Sequence, residues 1–305
     1  MLFRSFGNLP QREQQPREYR QAGLGSGVIV SPDGYILTNH HVIDGAELLK
    51  VVLPDNRSLT PKVIGSDPPS DLAVLRIDSR NLPLLNLGDS DRVRVGDVAL
   101  ALGNPLGLGQ TVTMGIISAK GRYTGLSDGS FEDFLQTDAP INSGNSGGAL
   151  VNTSGELVGI NSQILSPSGG NIGIGFAIPS NMARNVMDQL IKTGTVRRGR
   201  LGISVEPVTS ETASRAGLSE ARGLLVRSVE PGTAADRAGL REGDVITALN
   251  GVPVRDTNTL RNQVAGSLPG SEVRLTVMRN GREMQLKARL SEFVAKVEPR
   301  TREQR

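Results

Sequence analysis

The segment Gly144-Asn145-Ser146-Gly147-Gly148 is the most informative part of the chain, because it places a serine among residues that let the backbone turn sharply. Amide hydrolysis by serine needs a base for the hydroxyl proton, a carboxylate that orients the base, and backbone N–H groups that hold the oxyanion. In such a turn the N–H groups of Gly144 and Ser146 can point at one oxygen atom. The segment predicts a nucleophilic Ser146, and a Gly-rich hairpin turn carrying an ordinary serine is the alternative.

The histidine base can be chosen from only two residues, His40 and His41, since the chain has no other histidine. Residues 36–42 predict a strand that leads into a turn, where neighbouring side chains face opposite sides. The pattern alone leaves the choice between the two open. No further histidine and no cysteine is available, which argues against a metal site. The lack of cysteine also excludes disulfides and thiol catalysis.

The orienting acid is the residue that the pattern determines least. Asp71 precedes the apolar run 72–75 and therefore lies at the entrance of a predicted strand. A turn aspartate that caps nearby N–H groups is the alternative interpretation. Other candidates for the acid are Asp67, Asp89, Asp97 and Asp138.

Charge and composition argue against nucleic acid as a partner. The net charge of +3 comes entirely from residues 1–22 and 297–305, so the part between them is neutral. Aromatic residues make up 3% of the chain and tryptophan is absent, which leaves little on which bases could stack. We also expect no membrane-spanning segment, because no apolar run approaches the roughly 18 residues needed. The first residues are too short and too charged to predict a signal peptide.

The order of apolar runs and turns predicts a mainly β fold with two domains. Residues 1–22 are expected to form a flexible arm, and residues 23–194 a domain of short strands separated by Gly, Pro, Asn and Asp. A helix closes this domain, with Ser180 as its predicted N-cap and Gly194 at its end. Residues 195–200 are expected to be a linker, 201–290 a small α/β module with two short helices, and 291–305 a tail.

Several segments carry a resemblance to a known family. Residues 37–42 (Leu-Thr-Asn-His-His-Val), 70–75 (Ser-Asp-Leu-Ala-Val-Leu) and 144–150 (Gly-Asn-Ser-Gly-Gly-Ala-Leu) are similar, in this order, to the three catalytic motifs of the HtrA/Deg family. The resemblance extends over about residues 23–290. It implies a chymotrypsin-like double β-barrel protease domain followed by an α/β PDZ domain.

The resemblance also implies the roles of the site residues. It selects His41 as the base and Asp71 as the orienting acid. It places the oxyanion hole on Gly144, Asn145 and Ser146. The resemblance further implies a primary specificity pocket that favours small to medium aliphatic side chains, lined by Ile141, Ile164 and Ile174; barrel core is the alternative for these three.

The second module resembles a PDZ domain, which implies that a peptide C-terminus adds as a strand and that a loop of backbone N–H groups holds its carboxylate. The loop and the apolar pocket fall on Arg200, Leu201, Gly202, Ile203, Ser204, Leu260 and Val264. A purely structural role in the core is the alternative for Leu260 and Val264, which lie at i and i+4 of a predicted helix.

The function implied by the resemblance is that of an ATP-independent serine endopeptidase, without cofactors, that degrades misfolded or regulatory proteins in the periplasm or cell envelope. It also implies a homotrimer that recognises unfolded polypeptides and exposed C-termini. The alternative is a non-catalytic peptide-binding chaperone or PDZ scaffold. One departure favours that alternative: residues 1–22 contain no alternating apolar run for the first barrel strand. Either this strand is truncated, which would leave an exposed strand edge, or the barrel closes in a different way.

Overall fold

The computed structural model describes residues 24–104, 109–125, 130–142, 144–165, 170–218 and 220–294. The first group of elements consists of β1 (Val28–Ile29), β2 (Tyr35–Thr38), helix α1 (His40–Ile43), β3 (Val51–Val52), β4 (Ser58–Leu59), β5 (Lys62–Asp67) and β6 (Leu72–Arg76). Strands β1, β2, β6 and β5 form one antiparallel sheet in that order, while β3 and β4 form a separate ribbon. This sheet is open within the described residues. The predicted arm and the expected lack of a first barrel strand concern residues 1–22, which lie outside the described residues.

The second group of strands closes into a barrel. It consists of β7 (Val98–Gly103), β8 (Thr111–Arg122), β9 (Phe134–Thr137), β10 (Ala149–Asn152), β11 (Leu157–Ile164) and β12 (Gly175–Pro179). The order is β10-β11-β12-β9-β8-β7, and β7 pairs with β10 to complete the circle. The side chains of β7 alternate, so Ala99 and Ala101 are buried inside. The predicted mainly β architecture is confirmed.

Helix α2 (Ser180–Thr193) packs against both strand groups. Val186 and Leu190 belong to one buried cluster that also contains Leu37 of β2 and Ile160 of β11. Gly194 ends the helix in the left-handed conformation, as predicted. The prediction for Ser180 was wrong, because it is the first helical residue and its hydroxyl donates to the Gly88 carbonyl at 2.9 Å.

The third group of elements forms a module with its own core. It consists of β13 (Gly199–Arg200), β14 (Ile203–Pro207), helix α3 (Ser210–Ala216), β15 (Leu224–Val229), helix α4 (Ala234–Arg237), β16 (Val245–Leu249), β17 (Val252–Pro253), helix α5 (Thr257–Ala265), β18 (Glu272–Arg279), β19 (Arg282–Arg289) and β20 (Ser291–Glu292). The main sheet has the order β14-β15-β16-β18-β19. Helices α4 and α5 are the two predicted from sequence, and α3 is a third helix.

Two segments that were expected to be a linker and a tail pair with each other. Gly199 pairs with Glu292 and Arg200 with Ser291, so β13 and β20 form a short antiparallel ribbon. Within the described residues, no helix has the length and apolar character needed to cross a membrane.

Candidate active site

His41 lies in α1, directly after β2. Its backbone N–H donates to Asp71 Oδ1 at 3.0 Å, and its ring Nδ1 lies 2.9 and 2.8 Å from the two carboxylate oxygens. His40 approaches Asp44 instead, with 3.8 Å between Nε2 and a carboxylate oxygen. Both histidines lie on a helical turn and not on a strand, so their side chains diverge by about 100°. The structure therefore brings His41 to Asp71 and leaves His40 aside.

Asp71 stands at a sharp corner of the backbone. It has left-handed angles, φ 53° and ψ 39°, after the short 3-10 turn Pro68–Ser70 and immediately before β6. Its carbonyl accepts the Asn39 side-chain N–H at 3.0 Å and the His40 backbone N–H at 3.1 Å. These two bonds fasten the corner to the start of α1, so the carboxylate faces His41. Aspartate is one of the residues that tolerates this backbone conformation.

The pairing determines which nitrogen of His41 can act as a base. We assign the proton of the neutral ring to Nδ1, since this nitrogen lies against the carboxylate. Nε2 is then the acceptor. The His41 side chain is 48% exposed, so a substrate can approach it from solvent.

Ser162, in β11, is a site residue that the sequence reasoning missed. Its side chain is buried, and its hydroxyl donates to Asp71 Oδ2 at 2.9 Å. Its carbonyl accepts the hydroxyl of Ser146 at 2.9 Å. The available signal was the polar pair Asn161-Ser162 inside an apolar strand, because buried polar side chains in a strand need partners.

Ser146 lies near the His41–Asp71 pair, but its hydroxyl does not point to His41. It donates to the Ser162 carbonyl, and the structure shows no hydrogen bond between Ser146 and His41 among the described residues. The three predicted residues are thus connected through Ser162: Ser146 bonds to its carbonyl and Asp71 to its hydroxyl. The serine needs a side-chain rotation before Nε2 can accept its proton.

The turn around Ser146 leaves two N–H groups without an acceptor among the described residues, those of Gly144 and Ser146. The Asn145 N–H donates to the Asn142 carbonyl at 2.9 Å, and the Gly147 N–H to the Asn161 carbonyl at 2.8 Å. Gly144 and Gly147 have positive φ angles of 97° and 82°. Of the three residues predicted for the oxyanion hole, Asn145 therefore has its N–H engaged inside the loop.

The predicted specificity pocket is divided between two apolar clusters. Ile141 is 1% exposed and belongs to the barrel core, where Ile164 packs against the same cluster. Ile174 packs against the cluster that contains helix α2. In this conformation Ile141 is core, while Ile164 and Ile174 are only partly buried.

A groove of about 260 Å³ lies between β14 and α5 of the third group. Six of the seven residues predicted for peptide binding line it, namely Arg200, Leu201, Gly202, Ile203, Leu260 and Val264. Ser204 does not line the groove and instead pairs with Ser228 in the sheet. Phe131 and Phe293 also line the groove, and sequence reasoning did not include them.

Phe131 joins the groove to the corner that carries Asp71. Its N–H donates to the Pro69 carbonyl at 2.6 Å, and its ring lies between the guanidinium groups of Arg198 and Arg261, at 4.4 and 4.5 Å. Such stacking of a cation on an aromatic face is attractive. Phe293 meets the same ring edge-on, with 5.6 Å between centroids.

The other aspartates considered for the orienting role have different partners. Asp67 pairs with Arg198, Asp89 accepts from the Asn181 side chain, Asp97 from the Arg94 backbone N–H and Asp138 from the Ile116 backbone N–H. Within the described residues, no group of three or more His, Cys, Asp or Glu side chains could hold a metal ion.

Asp133 is a titratable residue whose pKa is raised by its surroundings. Burial raises the pKa of its carboxyl from 3.8 to about 6, with further contributions from Asp91 and Asp256. Lys120 partly opposes this increase in the pKa. Asp91 and Asp133 belong to the first part of the chain, whereas Asp256 caps α5.

Comparison with known proteins agrees with this geometry. Residues 25–160 match the family described as trypsin-like peptidase domain, and residues 199–290 match the PDZ domain family. The periplasmic serine endoprotease DegP of Escherichia coli K12 is 50% identical over 272 residues, which are 88% of this chain and 57% of DegP. The periplasmic pH-dependent serine endoprotease DegQ of the same organism is 49% identical over 288 residues, 93% of this chain and 62% of DegQ.

A solved structure is similar to this chain over nearly all of its length. The HtrA-type protease AlgW with a tripeptide is 50% identical and has a TM-score of 0.77, covering 90% of this chain and 90% of that one. The chain spans about three fifths of the length of the curated relatives that it matches. With both domains and half of the residues in common, this chain belongs to the HtrA/Deg family of trypsin-like serine proteases with a PDZ domain.

Proposed function

We propose that this chain is an ATP-independent serine endopeptidase in which Ser146 is the nucleophile, His41 the general base and Asp71 the orienting acid. The observation that carries the proposal is the two-point contact of Asp71 with His41, through the backbone N–H and through Nδ1. This contact fixes both the position and the tautomer of the imidazole. The Ser146 turn is attached to the same carboxylate through Ser162.

In the proposed mechanism, the Ser146 hydroxyl leaves the Ser162 carbonyl and turns towards His41 Nε2. Nε2 takes the proton as Oγ attacks the substrate carbonyl, and Asp71 stabilises the imidazolium that forms. The N–H groups of Gly144 and Ser146 hold the oxyanion, with Asn145 supporting the loop through its bond to Asn142. The imidazolium then protonates the leaving amine, and water hydrolyses the acyl-enzyme.

The substrate side chain before the scissile bond is proposed to contact the partly buried Ile164 and Ile174, and to reach Ile141 only after a change of the conformation in which Ile141 is core. Isoleucine side chains carry no charge that could pair with a charged substrate residue, so we expect cleavage after Val, Ala or Ile. A peptide library read by mass spectrometry checks this specificity. Strong cleavage after Arg or Phe would contradict it.

The groove between β14 and α5 is proposed to bind peptide C-termini. A peptide can add along β14, which is an edge strand of the sheet, and its terminal carboxylate can face the loop at Leu201 and Gly202. Leu260 and Val264 form the apolar floor. Titrating one peptide with a free and an amidated C-terminus tests whether this loop binds the carboxylate. Equal affinities of the two peptides would contradict that role.

The chain is further proposed to act as a homotrimer on unfolded polypeptides in the periplasm or cell envelope. DegP and DegQ are described as periplasmic enzymes. Self-association is supported by an apolar stripe on the outside of the barrel, which we call the β7–β8 stripe. It consists of three facing pairs, Val98 with Ile116, Leu100 with Met114 and Leu102 with Val112.

The rival function is a non-catalytic binder that uses only the PDZ groove. An active-site phosphonate and casein cleavage decide between the two. We expect labelling and cleavage by the wild type, loss of both in Ser146→Ala and His41→Ala, and retention in His40→Ala, which changes the neighbouring histidine. A folded wild type that is neither labelled nor active would favour the binder.

A further inference from the structure

Ser26 lies just before β1 and bonds to the nucleophile loop on both sides of Ser146. Its hydroxyl donates to the Gly144 carbonyl at 2.6 Å, and its backbone N–H donates to the Ser146 carbonyl at 2.8 Å. The same hydroxyl accepts the Asn104 N–H at 2.9 Å. Since a hydroxyl has a single proton, the bond from Asn104 leaves that proton directed to Gly144.

These bonds fix two peptide planes of the loop. The plane between residues 144 and 145 is held at its oxygen by the Ser26 hydroxyl and at its N–H by the Asn142 carbonyl. The plane between residues 146 and 147 is held at its oxygen by the Ser26 N–H and at its N–H by the Asn161 carbonyl. Both planes flank the Ser146 N–H, which is one of the two donors left without an acceptor among the described residues.

Close packing reinforces this attachment. A Cβ on Gly147 would collide with the Ser26 carbonyl oxygen and with the Thr38 hydroxyl, so the loop lies directly against these residues. The Thr38 hydroxyl donates to the Ser26 carbonyl at 2.7 Å. Thr38 ends β2, three residues before His41. Ser26 is therefore attached both to the loop of the nucleophile and to the strand that leads to the base.

We propose that Ser26 is a positioning residue of the oxyanion hole, whose hydroxyl holds the backbone at Gly144 so that the N–H groups of Gly144 and Ser146 converge on the substrate oxygen. The proposal rests on the proposed serine peptidase function. Ser26 acts through the loop and does not touch the reacting atoms. Neither the Ser146 motif nor the charge pattern of the sequence points to this residue.

The variant Ser26→Ala removes the hydroxyl and keeps the backbone bond to Ser146. Loss of one oxyanion donor lowers kcat about 100- to 1,000-fold, so loss of a support for the loop should lower kcat about 10- to 100-fold. We expect little change in KM and a parallel loss of affinity for a peptide boronate, which forms a tetrahedral adduct. Ser26→Thr, which keeps the hydroxyl, should recover most of the activity.

The matched control is Ser180→Ala, which also removes a hydroxyl that donates to a backbone carbonyl, at a position away from the loop. Hydrogen exchange of the peptide spanning residues 141–150 provides a second readout that does not depend on turnover. Exchange there should be faster in Ser26→Ala than in Ser180→Ala. Wild-type labelling by a phosphonate reports on the peptidase function separately. If Ser26→Ala matches Ser180→Ala in exchange and in turnover, the proposal is overturned even when the peptidase function holds.

Discussion

At the scale of single residues, Asp71 is the side chain that connects the parts of the candidate site. Its carboxylate accepts from His41 and from Ser162, and its carbonyl accepts from Asn39 and His40. The left-handed backbone at this residue is held by these bonds from two separate elements. A change at the carboxylate alone therefore tests orientation of the base without removing the backbone contacts of the corner.

We predict that Asp71→Asn lowers kcat about 10,000-fold, the loss known for this change in a Ser-His-Asp triad. The amide would present its NH₂ group to His41, which favours the tautomer with the proton on Nε2 and removes the acceptor for Ser146. Initial rates with a chromogenic peptide measure the effect. Asp44→Asn, beside His40, is the control and should keep wild-type turnover. A loss below tenfold in Asp71→Asn would exclude the orienting role.

The residues of the candidate site that stand in sequence motifs could be predicted, whereas contacts between distant segments could not. His41, Asp71 and Ser146 stand in motifs that the chain carries in order, and the structure places them around Ser162. The direction of the Ser146 hydroxyl could not be predicted, because it depends on the Ser162 carbonyl of the neighbouring strand β11. The role of Ser26 could not be predicted either, since its partners are 78 and 118 residues away in the chain.

At the scale of elements, the end of β5 holds the turn before Asp71. Asp67 accepts the Ser70 N–H at 3.1 Å and pairs with Arg198 Nη1 at 2.8 Å. Both side chains of the ion pair are nearly buried, with exposed fractions of 7% and 9%. Arg198 follows α2 and lies on the Phe131 ring, so the pair joins the corner that carries Asp71 to the segment between the two domains.

We predict that Asp67→Ala destabilises the protein by about 3–5 kcal/mol, because it leaves the Arg198 charge buried without a partner. Urea denaturation measures the free energy of unfolding. Glu292→Ala is the control, since it breaks the neighbouring but exposed pair with Arg197 and should leave the stability almost unchanged. Equal effects of the two variants would show that the buried Asp67–Arg198 pair contributes no more to stability than the exposed Arg197–Glu292 pair.

The secondary-structure elements also differ in how well the sequence pattern predicted them. The period of apolar residues located α2 and the strands of the barrel, because both bury one face along their length. It did not distinguish a four-residue helix from a strand end at His40–Ile43, since one helical turn contains too few residues for a period. Residues 195–200 looked like a linker because Arg197, Arg198 and Arg200 are charged, yet each has an acidic partner.

At the scale of the whole molecule, Asp133 links stability to pH at the joint between the domains. In the folded protein the pKa of the Asp133 carboxyl is about 6, above its usual value of 3.8. Between these values the folded state keeps a proton that the unfolded state has lost, so this group's contribution to stability decreases as the pH rises from 4 to 6. Above pH 6 the full cost is present, at most about 3 kcal/mol for a shift of about two units.

We therefore predict that Asp133→Asn stabilises the protein at pH 8 by up to about 3 kcal/mol and makes no difference at pH 4. Lys120 lowers the gain, and repulsion from Asp91 and Asp256 raises it. Urea denaturation at the two pH values measures this difference. Asp188→Asn, on the exposed face of α2, is the control and should be neutral at both. A destabilised Asp133→Asn at pH 8 would contradict the sign.

The β7–β8 stripe is the feature of the whole molecule that bears on assembly. Its side chains include Met114, which is 70% exposed, Val112 at 55%, Val98 at 41% and Ile116 at 40%. Large contiguous apolar patches are rare on monomers and mark contact sites. Ala99 and Ala101 fill the inside of β7, and Leu100 and Leu102 of the stripe are partly buried against the cluster that contains helix α2. The exposed part of the stripe is therefore formed by the other four side chains.

We predict that Met114→Glu converts the proposed trimer into monomers, because a carboxylate would have to be buried among apolar side chains without a partner. Analytical ultracentrifugation at micromolar concentration measures the mass. Val52→Glu places the same charge at another exposed apolar residue, on β3, and should leave the trimer intact. If the trimer persists in Met114→Glu, another surface holds it, and if the wild type is monomeric, the stripe has a different partner. Loss of the trimer in Met114→Glu alone would identify the stripe as the surface through which copies of this chain associate.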